Sequence, residues 1–166
     1  MAKSDSFFIR AQIYTNGTNF VEEAIDLGAY VDALGKSVLR IHNISVQYGN
    51  PNVQALTNVS SSNVTSFQLT TQSQTAMVTM HDKSVISSGK LLVENGTATP
   101  GVTTFMSESM DISPQTWTKG YLVGVEQIYL GADQSYDQFQ NIQIVLECTV
   151  ETLSQNAAMA LALSQQ

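Results

Sequence analysis

The chain has 166 residues and a mass of 18.0 kDa, which is the size of a single domain. Its net charge is −7 and only 13% of its residues are charged, whereas 59 of the 166 are Asn, Gln, Ser or Thr. Nucleic-acid binding needs clustered Lys and Arg, but the first ten residues hold only Lys3 and Arg10, so we expect no direct contact with nucleic acid.

The chain opens with two segments that predict β-strands. In SFFIRAQIY apolar and polar residues alternate with a period of two, as in a strand with one buried face. Asn16 and Gly17 follow and predict a turn, because both residues tolerate positive φ. A second strand is predicted over residues 20 to 27, although Glu23 interrupts its apolar face.

The segment VLRIHNISVQY, residues 38 to 48, changes the phase of its alternation halfway along. Leu39 and Ile41 share one parity, whereas Ile44 shares the other with the apolar residues that follow it. One inserted residue sends all later side chains of a strand to the opposite face of the sheet. We therefore predict a β-bulge at His42 and Asn43, which would bend the strand.

Shorter strands are predicted through the middle of the chain. They cover residues 65 to 69, residues 76 to 80, two segments around Ser88 and Gly89, and residues 102 to 110. The segment SPQTWTKG that follows is predicted as a loop.

The last third of the chain contains a second phase change and the clearest alternation. In YLVGVEQIYL the apolar parity switches around Glu126 and Gln127, which predicts a second slipped strand. NIQIVLECTVET follows and alternates almost without exception. The tail QNAAMALALSQQ is rich in helix formers but too short to be stable alone, so we expect it to dock on its own domain, a neighbouring subunit or a lipid surface.

These elements together predict an all-β fold. Eight or nine short strands without a long interior helix indicate a sandwich or a barrel, and two bulged strands favour a strongly curved, two-sheet antiparallel β-sandwich. We assign residues 1–153 to this domain and residues 154–166 to a short C-terminal helical tail.

The residue types that form catalytic, metal-binding and phosphate-binding sites do not occur in this sequence with the spacing that those sites need. His42 and His81 have no ligand spacing with each other or with a cysteine, and the single Cys148 excludes an intramolecular disulfide. Neither phosphate-binding glycine motif occurs. We predict no catalytic residue, metal ligand or cofactor, and we interpret the chain as a non-enzyme. No secretion signal or apolar run of about 18 residues is present, so we expect synthesis in a cytoplasm.

Four residues are candidates for a ligand or subunit contact. Trp117, the only tryptophan, and Tyr121 would stack on a sugar ring or anchor a neighbouring subunit, or Trp117 would plug an open end of the sandwich. Asp133 and Asp137 lie in the acidic segment GADQSYDQF and offer oxygen ligands for a hard cation, although the full spacing of a calcium loop is missing and a solvated turn explains them as well.

The succession of strands resembles that of single jelly-roll viral capsid proteins. The resemblance covers most of the chain, from about residue 6 to residue 152, and its body strands would be NFVEEAIDL, VLRIHNISVQY, YLVGVEQIYL and NIQIVLECTV. It implies a jelly roll with two packed four-stranded sheets, whose subunits tile into pentamers or hexamers. Capsid proteins that package a bare genome usually carry a basic arm, and this chain departs from that pattern. The departure points to tailless icosahedral virions with a protein or a membrane beneath the shell.

The resemblance implies a structural virion protein, most simply a small capsid protein that self-assembles into an icosahedral shell. Its partners would be copies of itself, other capsid proteins and an internal membrane reached by the C-terminal tail. Two other functions remain open at this point: a lectin-like, carbohydrate-binding β-sandwich, and a phage tail-tube or accessory virion subunit. A neutral polar surface is consistent with assembly, because charge is depleted from interface cores.

Overall fold

The computed structural model describes residues 4–32, 36–49, 63–95, 105–109, 115–135 and 140–165. The described residues form nine strands and one C-terminal helix. These elements are β1 (Phe7–Tyr14), β2 (Val21–Asp26), β3 (Ser37–Tyr48), β4 (Asn63–Thr70), β5 (Val85–Asn95), β6 (Phe105–Ser109), β7 (Gln115–Val123), β8 (Gln127–Gln134), β9 (Asn141–Thr152) and α1 (Gln155–Ser164).

The strands form two antiparallel sheets that pack as a sandwich. The four-stranded sheet has the order β1-β9-β3-β7, and the five-stranded sheet has the order β2-β8-β4-β5-β6. The chain is thus folded as a nested hairpin, in which β1 pairs with β9, β2 with β8, β3 with β7 and β4 with β5. Successive pairs alternate between the two sheets. This order confirms the predicted two-sheet sandwich of jelly-roll type with a short C-terminal helix.

The core lies between the sheets and follows the period-two alternation of the strands. In β1 the apolar set that begins with Phe7 is turned inward, while Phe8 and Arg10 on the opposite face are exposed. Burial of each large aliphatic or aromatic side chain contributes about 1.5–3 kcal/mol of transfer free energy. The largest fully buried side chains are Phe67, Leu27, Leu39, Ile41, Ile44, Leu69, Ile128, Leu130, Ile142, Ile144 and Leu146.

The predicted slip in β3 is a β-bulge. The register of β3 against β9 shifts between Ile41 and Asn43, so His42 is the extra residue. Ile41 and Ile44 are both fully buried although they differ in parity, which is possible because the bulge reverses the phase between them. The ring Nε2 of His42 lies 2.9 Å from the hydroxyl oxygen of Thr149 on β9.

The second predicted slip is wrong as a feature of one strand. β7 ends at Val123 and β8 begins at Gln127, and the two strands belong to different sheets. The chain crosses from one sheet to the other over residues 124–126. Val123 and Ile128 are both fully buried because each approaches the same core from its own sheet.

Two further sequence predictions are corrected. Residues 76 to 80 are not a strand but part of the connection between β4 and β5, which lies across the outer face of the five-stranded sheet. The Gln68 side chain holds this connection, since its Nε2 donates to the Ala76 carbonyl at 3.5 Å and its Oε1 accepts from the Val78 amide at 2.9 Å. The two strands predicted around Ser88 and Gly89 are the single strand β5, in which Gly89 lies opposite Phe67.

Candidate assembly surface

Trp117 and Tyr121 lie in β7 rather than in a loop, and they contact each other. Their ring centroids are 5.7 Å apart and the ring planes are tilted by 50°. Both side chains are partly buried and pack against the core, and burial raises the pKa of the Tyr121 hydroxyl. The pair therefore covers the core on the β7 side of the sandwich. The indole packs against other side chains and is not freely available to stack on a sugar ring.

Asp133 lies in β8, opposite Ser66 of β4, and not in a loop. It borders a shallow groove of about 380 Å³ on the five-stranded sheet, beside Thr18 and Met77. Asp137 lies outside the described residues. Because Asp133 and Trp117 belong to different sheets, the structure does not bring them together into one sugar-binding or cation-binding site.

A buried ion pair crosses the four-stranded sheet and involves the irregular part of β7. Arg40 of β3 donates from Nε and from one terminal nitrogen to the two carboxylate oxygens of Glu151 on β9, both at 2.7 Å. Its other terminal nitrogen donates to the carbonyl of Lys119. The hydrogen bonds from Arg40 to Glu151 raise the pKa of the guanidinium. The ion pair connects β3 with β9, and the hydrogen bond to the Lys119 carbonyl connects β3 with β7.

The bulge in β7 accommodates this ion pair. Ile41 of β3 lies opposite Tyr121 of β7, whereas Asn43 lies opposite Thr116. Between these two pairs β7 therefore has more residues than β3. Gly120 sits in this bulge with φ +73°, and a Cβ at its position would lie 2.6 Å from Cγ of Arg40. A glycine is therefore needed where the bulge turns a carbonyl toward the guanidinium.

Helix α1 docks on its own sandwich. Its N-terminus is capped by the hydroxyl of Ser154, and its buried face consists of Ala158 and Ala162. After the helix, the side chain of Gln165 donates to the carbonyl of Leu122 at 2.7 Å and accepts from the amide of Gly124 at 2.8 Å. Of the three docking partners expected for the tail, its own domain is the one that the structure shows.

The exposed side of α1 carries no charge and includes two apolar side chains. Met159 and Leu163, which are 46% and 65% exposed, lie one turn apart and share a face. The helix contains no acidic residue in its first turn and no basic residue in its last turn. This exposed side is free to contact another apolar surface without desolvating a charge.

A groove of about 630 Å³ opens where the edges of the two sheets diverge, between β1 and β2. The buried side chains of Ile25, Leu130 and Ile144 form its apolar part, and the exposed Arg10 and Glu23 also line it. The groove explains why Glu23 interrupts the apolar face of β2. Glu23 lies opposite Leu130 and so faces inward, yet it remains solvated because β2 is an edge strand.

The acidic residues and histidines in the described ranges form no metal centre, and Asp82 has a structural hydrogen-bond partner. Within the described ranges, no group of three or more His, Cys, Asp and Glu residues lies close enough to hold a metal ion. His81 is exposed, and the neighbouring Asp82 accepts hydrogen bonds from the amide and hydroxyl of Ser84, which lower the pKa of its carboxyl. Asp82 thus stabilises a turn and does not orient a histidine base.

Among the described residues four strands form the edges of the two sheets, and three of them carry features that oppose edge-to-edge pairing. β2 has three acidic residues among six, β7 is bulged, and β6 has only five residues. The fourth edge strand, β1, has eight residues that pair with β9 in an unbroken register, and Arg10 is its only charged residue. Its outer face exposes Phe8 and Tyr14, each at 54%. A regular, nearly uncharged edge of this kind is a candidate assembly surface.

A comparison with protein-family models and with curated sequences finds no match to this chain. No helix in the described part of the chain is both long and apolar enough to cross a membrane. Strand order, surface composition and the exposed edge are therefore the observations on which a functional proposal must rest.

Proposed function

We propose that this chain is a structural virion protein, a small capsid protein that self-assembles into an icosahedral shell. The observation that carries the proposal is the nested strand order, with β1 beside β9, β2 beside β8 and β3 beside β7 in two packed sheets. Jelly rolls of this order serve as viral capsid subunits, lectins and cupins. The fold is therefore compatible with each of these functions and does not by itself distinguish among them.

The surface composition favours assembly among these functions. Only 13% of the residues are charged, and 59 neutral polar residues take their place. Ser and Thr lose less side-chain entropy than Lys or Glu when a contact immobilises them, and interfaces carry few charges at their centres. Many modest contacts of this kind close a shell through multivalency.

The two residues that suggested a carbohydrate-binding site do not lie together. A lectin-like site would combine Trp117 with a loop acid, but Trp117 packs against the core and Asp133 lies in the other sheet. We therefore advance the assembly function alone.

The proposed partners follow from the surfaces described above. Copies of the chain and other capsid proteins would meet at sheet edges and loops, without direct contact to nucleic acid. The uncharged outer side of α1, with Met159 and Leu163, would face an internal membrane in the virion.

Sedimentation velocity over a range of protein concentrations, followed by electron microscopy, tests the proposal. We expect concentration-dependent association and closed shells or ordered sheets, either from the chain alone or with the products of neighbouring genes. Rings or tubes would support a tail-tube subunit instead. A strictly monomeric protein at high concentration, without ordered particles under either condition, would overturn the proposal.

A further inference from the structure

We propose that β1 pairs with β1 of a second copy in an antiparallel ladder, with a two-fold axis at Ala11. The contact would join two four-stranded sheets into one continuous sheet of eight strands. This inference rests on the proposed function and deepens it, because it names the partner and the register of one contact in the assembly.

In the described part of the chain no strand pairs with the second edge of β1, the free edge, which presents regularly spaced backbone donors and acceptors. The Thr15 amide donates to the Gln140 carbonyl at 2.9 Å, which continues the register between β1 and β9. In an antiparallel pair, residues that direct their backbone groups toward one neighbour alternate with residues that direct them away. The odd-numbered residues of β1 are therefore bonded to β9. Those with backbone groups directed to the free edge are Phe8, Arg10, Gln12 and Tyr14.

Side-chain parity restricts the register of a self-paired edge. Directly opposed residues share a face of the sheet, so an even-numbered residue of one copy must oppose an even-numbered residue of the other. With the axis at Ala11, Phe8 lies opposite Tyr14 and Arg10 lies opposite Gln12. The two exposed aromatic side chains of the outer face are then paired, and by symmetry the pair forms twice.

The charge of Arg10 disfavours the neighbouring register. An axis at Arg10 would place two guanidinium groups directly opposite each other, which is destabilising. An axis at Gln12 would leave Phe8 beyond the end of the partner strand, opposite Asn16. The register centred on Ala11 places the neutral Gln12 opposite Arg10 and keeps the two Arg10 side chains on a diagonal, roughly 7–8 Å apart at the backbone.

The other edges do not offer an equivalent ladder, and β6 has only five residues. Self-pairing of β2 would bring Glu22, Glu23 and Asp26 of two copies together in a chain whose net charge is already −7. In β7 the jump in register around Gly120 breaks the regular spacing that a partner strand needs. Among the self-paired edges, β1 is thus the one that fits a two-fold antiparallel contact.

Disulfide trapping of the variant Ala11→Cys tests both the contact and its register. Residues at 11 would form a pair without backbone hydrogen bonds, with Cα atoms about 4.5 Å apart, which is within the range for a disulfide. Two thiols would be oxidised to one disulfide while diamide is reduced to its hydrazine. The matched control is Arg10→Cys, whose partner is Gln12, and the native Cys148 is fully buried.

We expect diamide to convert most of Ala11→Cys into a covalent dimer on non-reducing gels, at least tenfold faster than Arg10→Cys. Wild type should give no covalent dimer. An equimolar mixture of Arg10→Cys and Gln12→Cys, with one variant carrying a mass tag, should give the mixed dimer. A faster reaction of Arg10→Cys than of Ala11→Cys, or equal slow reaction of both, would overturn the inference.

Edge-blocking substitutions in the Ala11→Cys background provide an independent test. Gln12→Pro removes an amide that faces the free edge and that β9 does not use, and edge strands tolerate proline there. We expect it to slow cross-linking at least tenfold, whereas Gln12→Ala should not. Should Gln12→Pro lose its far-ultraviolet circular dichroism signal, the double substitution Phe8→Ser with Tyr14→Ser, on the exposed outer face, gives the same comparison. Undiminished cross-linking in a folded edge variant would refute the pairing.

The outcomes separate this inference from the proposed function. Ordered particles that form from wild type and persist in the Gln12→Pro variant, without cross-linking of Ala11→Cys, would refute the β1 contact and leave the capsid function supported. Efficient cross-linking of Ala11→Cys without any higher assembly would support the contact and refute the shell.

Discussion

Replacement of Arg40 by methionine tests how far the four-stranded sheet depends on its buried ion pair. The side chain of Glu151 is 2% exposed and that of Arg40 is 17% exposed, and the two form two hydrogen bonds of 2.7 Å. In Arg40→Met the carboxylate of Glu151 stays buried without its cation, while methionine retains much of the apolar stem. We therefore expect a large loss of stability from this single change.

The magnitude follows from the burial of the remaining charge. Removal of one partner from a buried pair costs about 3–5 kcal/mol, whereas replacement of both partners by apolar residues is often neutral or stabilising. The double variant Arg40→Met with Glu151→Leu should therefore recover most of the loss and unfold within about 1 kcal/mol of wild type. The loss in the single variant comes mainly from the buried carboxylate that no longer faces the guanidinium, and only in part from the attraction within the pair.

Urea unfolding followed by circular dichroism measures these differences. With a slope near 2 kcal/mol per molar urea, Arg40→Met should lower the midpoint by about 1.5–2.5 M. Arg10→Met is the matched control, because Arg10 is exposed on the same sheet and lies over the face of Phe8, 5.7 Å from its ring centroid. That control should change stability by less than about 0.5 kcal/mol. Equal effects of the two substitutions would refute the argument from burial.

Two further substitutions and two properties of Cys148 have defined outcomes. Gly120→Ala should cost about 2–4 kcal/mol in urea unfolding, since its Cβ would meet Arg40 at a positive φ, and a cost below 1 kcal/mol would contradict the assigned bulge. Gln165→Ala should cost about 1–3 kcal/mol and increase amide exchange in α1, because it leaves the Gly124 amide without its acceptor. Burial raises the pKa of the Cys148 thiol from 9.0 to about 12, so native protein should resist alkylation at pH 8 that denatured protein undergoes rapidly. The folded state keeps a proton that the unfolded chain releases, so this contribution to stability should be full below pH 9 and fall as the pH rises toward 12, as urea midpoints would show.

The features that could be predicted from the sequence are those that depend only on residues close together along the chain. Alternation with a period of two predicted β1 and the bounds of β9, and the change of phase around His42 predicted the bulge. Side chains alternate across any strand, so apolar periodicity reports which face is buried wherever that strand lies. The fold class followed from the number and spacing of such segments.

The candidate surface was harder to predict, because it depends on which strands become neighbours. The sequence placed Trp117 in a loop and joined Val123 to Ile128 in one strand, since a short crossing between sheets and a bulge give the same local pattern. The aromatic residues Phe8 and Tyr14 were visible in the sequence. Their significance was not, because only the sheet order shows that β1 is an edge.

The sequence by itself determined that the chain is an all-β sandwich with inward and outward residues assigned along most strands, since those assignments rest on local geometry. The tertiary structure alone decided the pairing of the strands, the ion pair between residues 111 positions apart and the position of β1 at the edge of its sheet. The physical reason is that strand pairing uses backbone groups common to every residue. The choice among partners is therefore made by the packing of the whole core and not by any one segment.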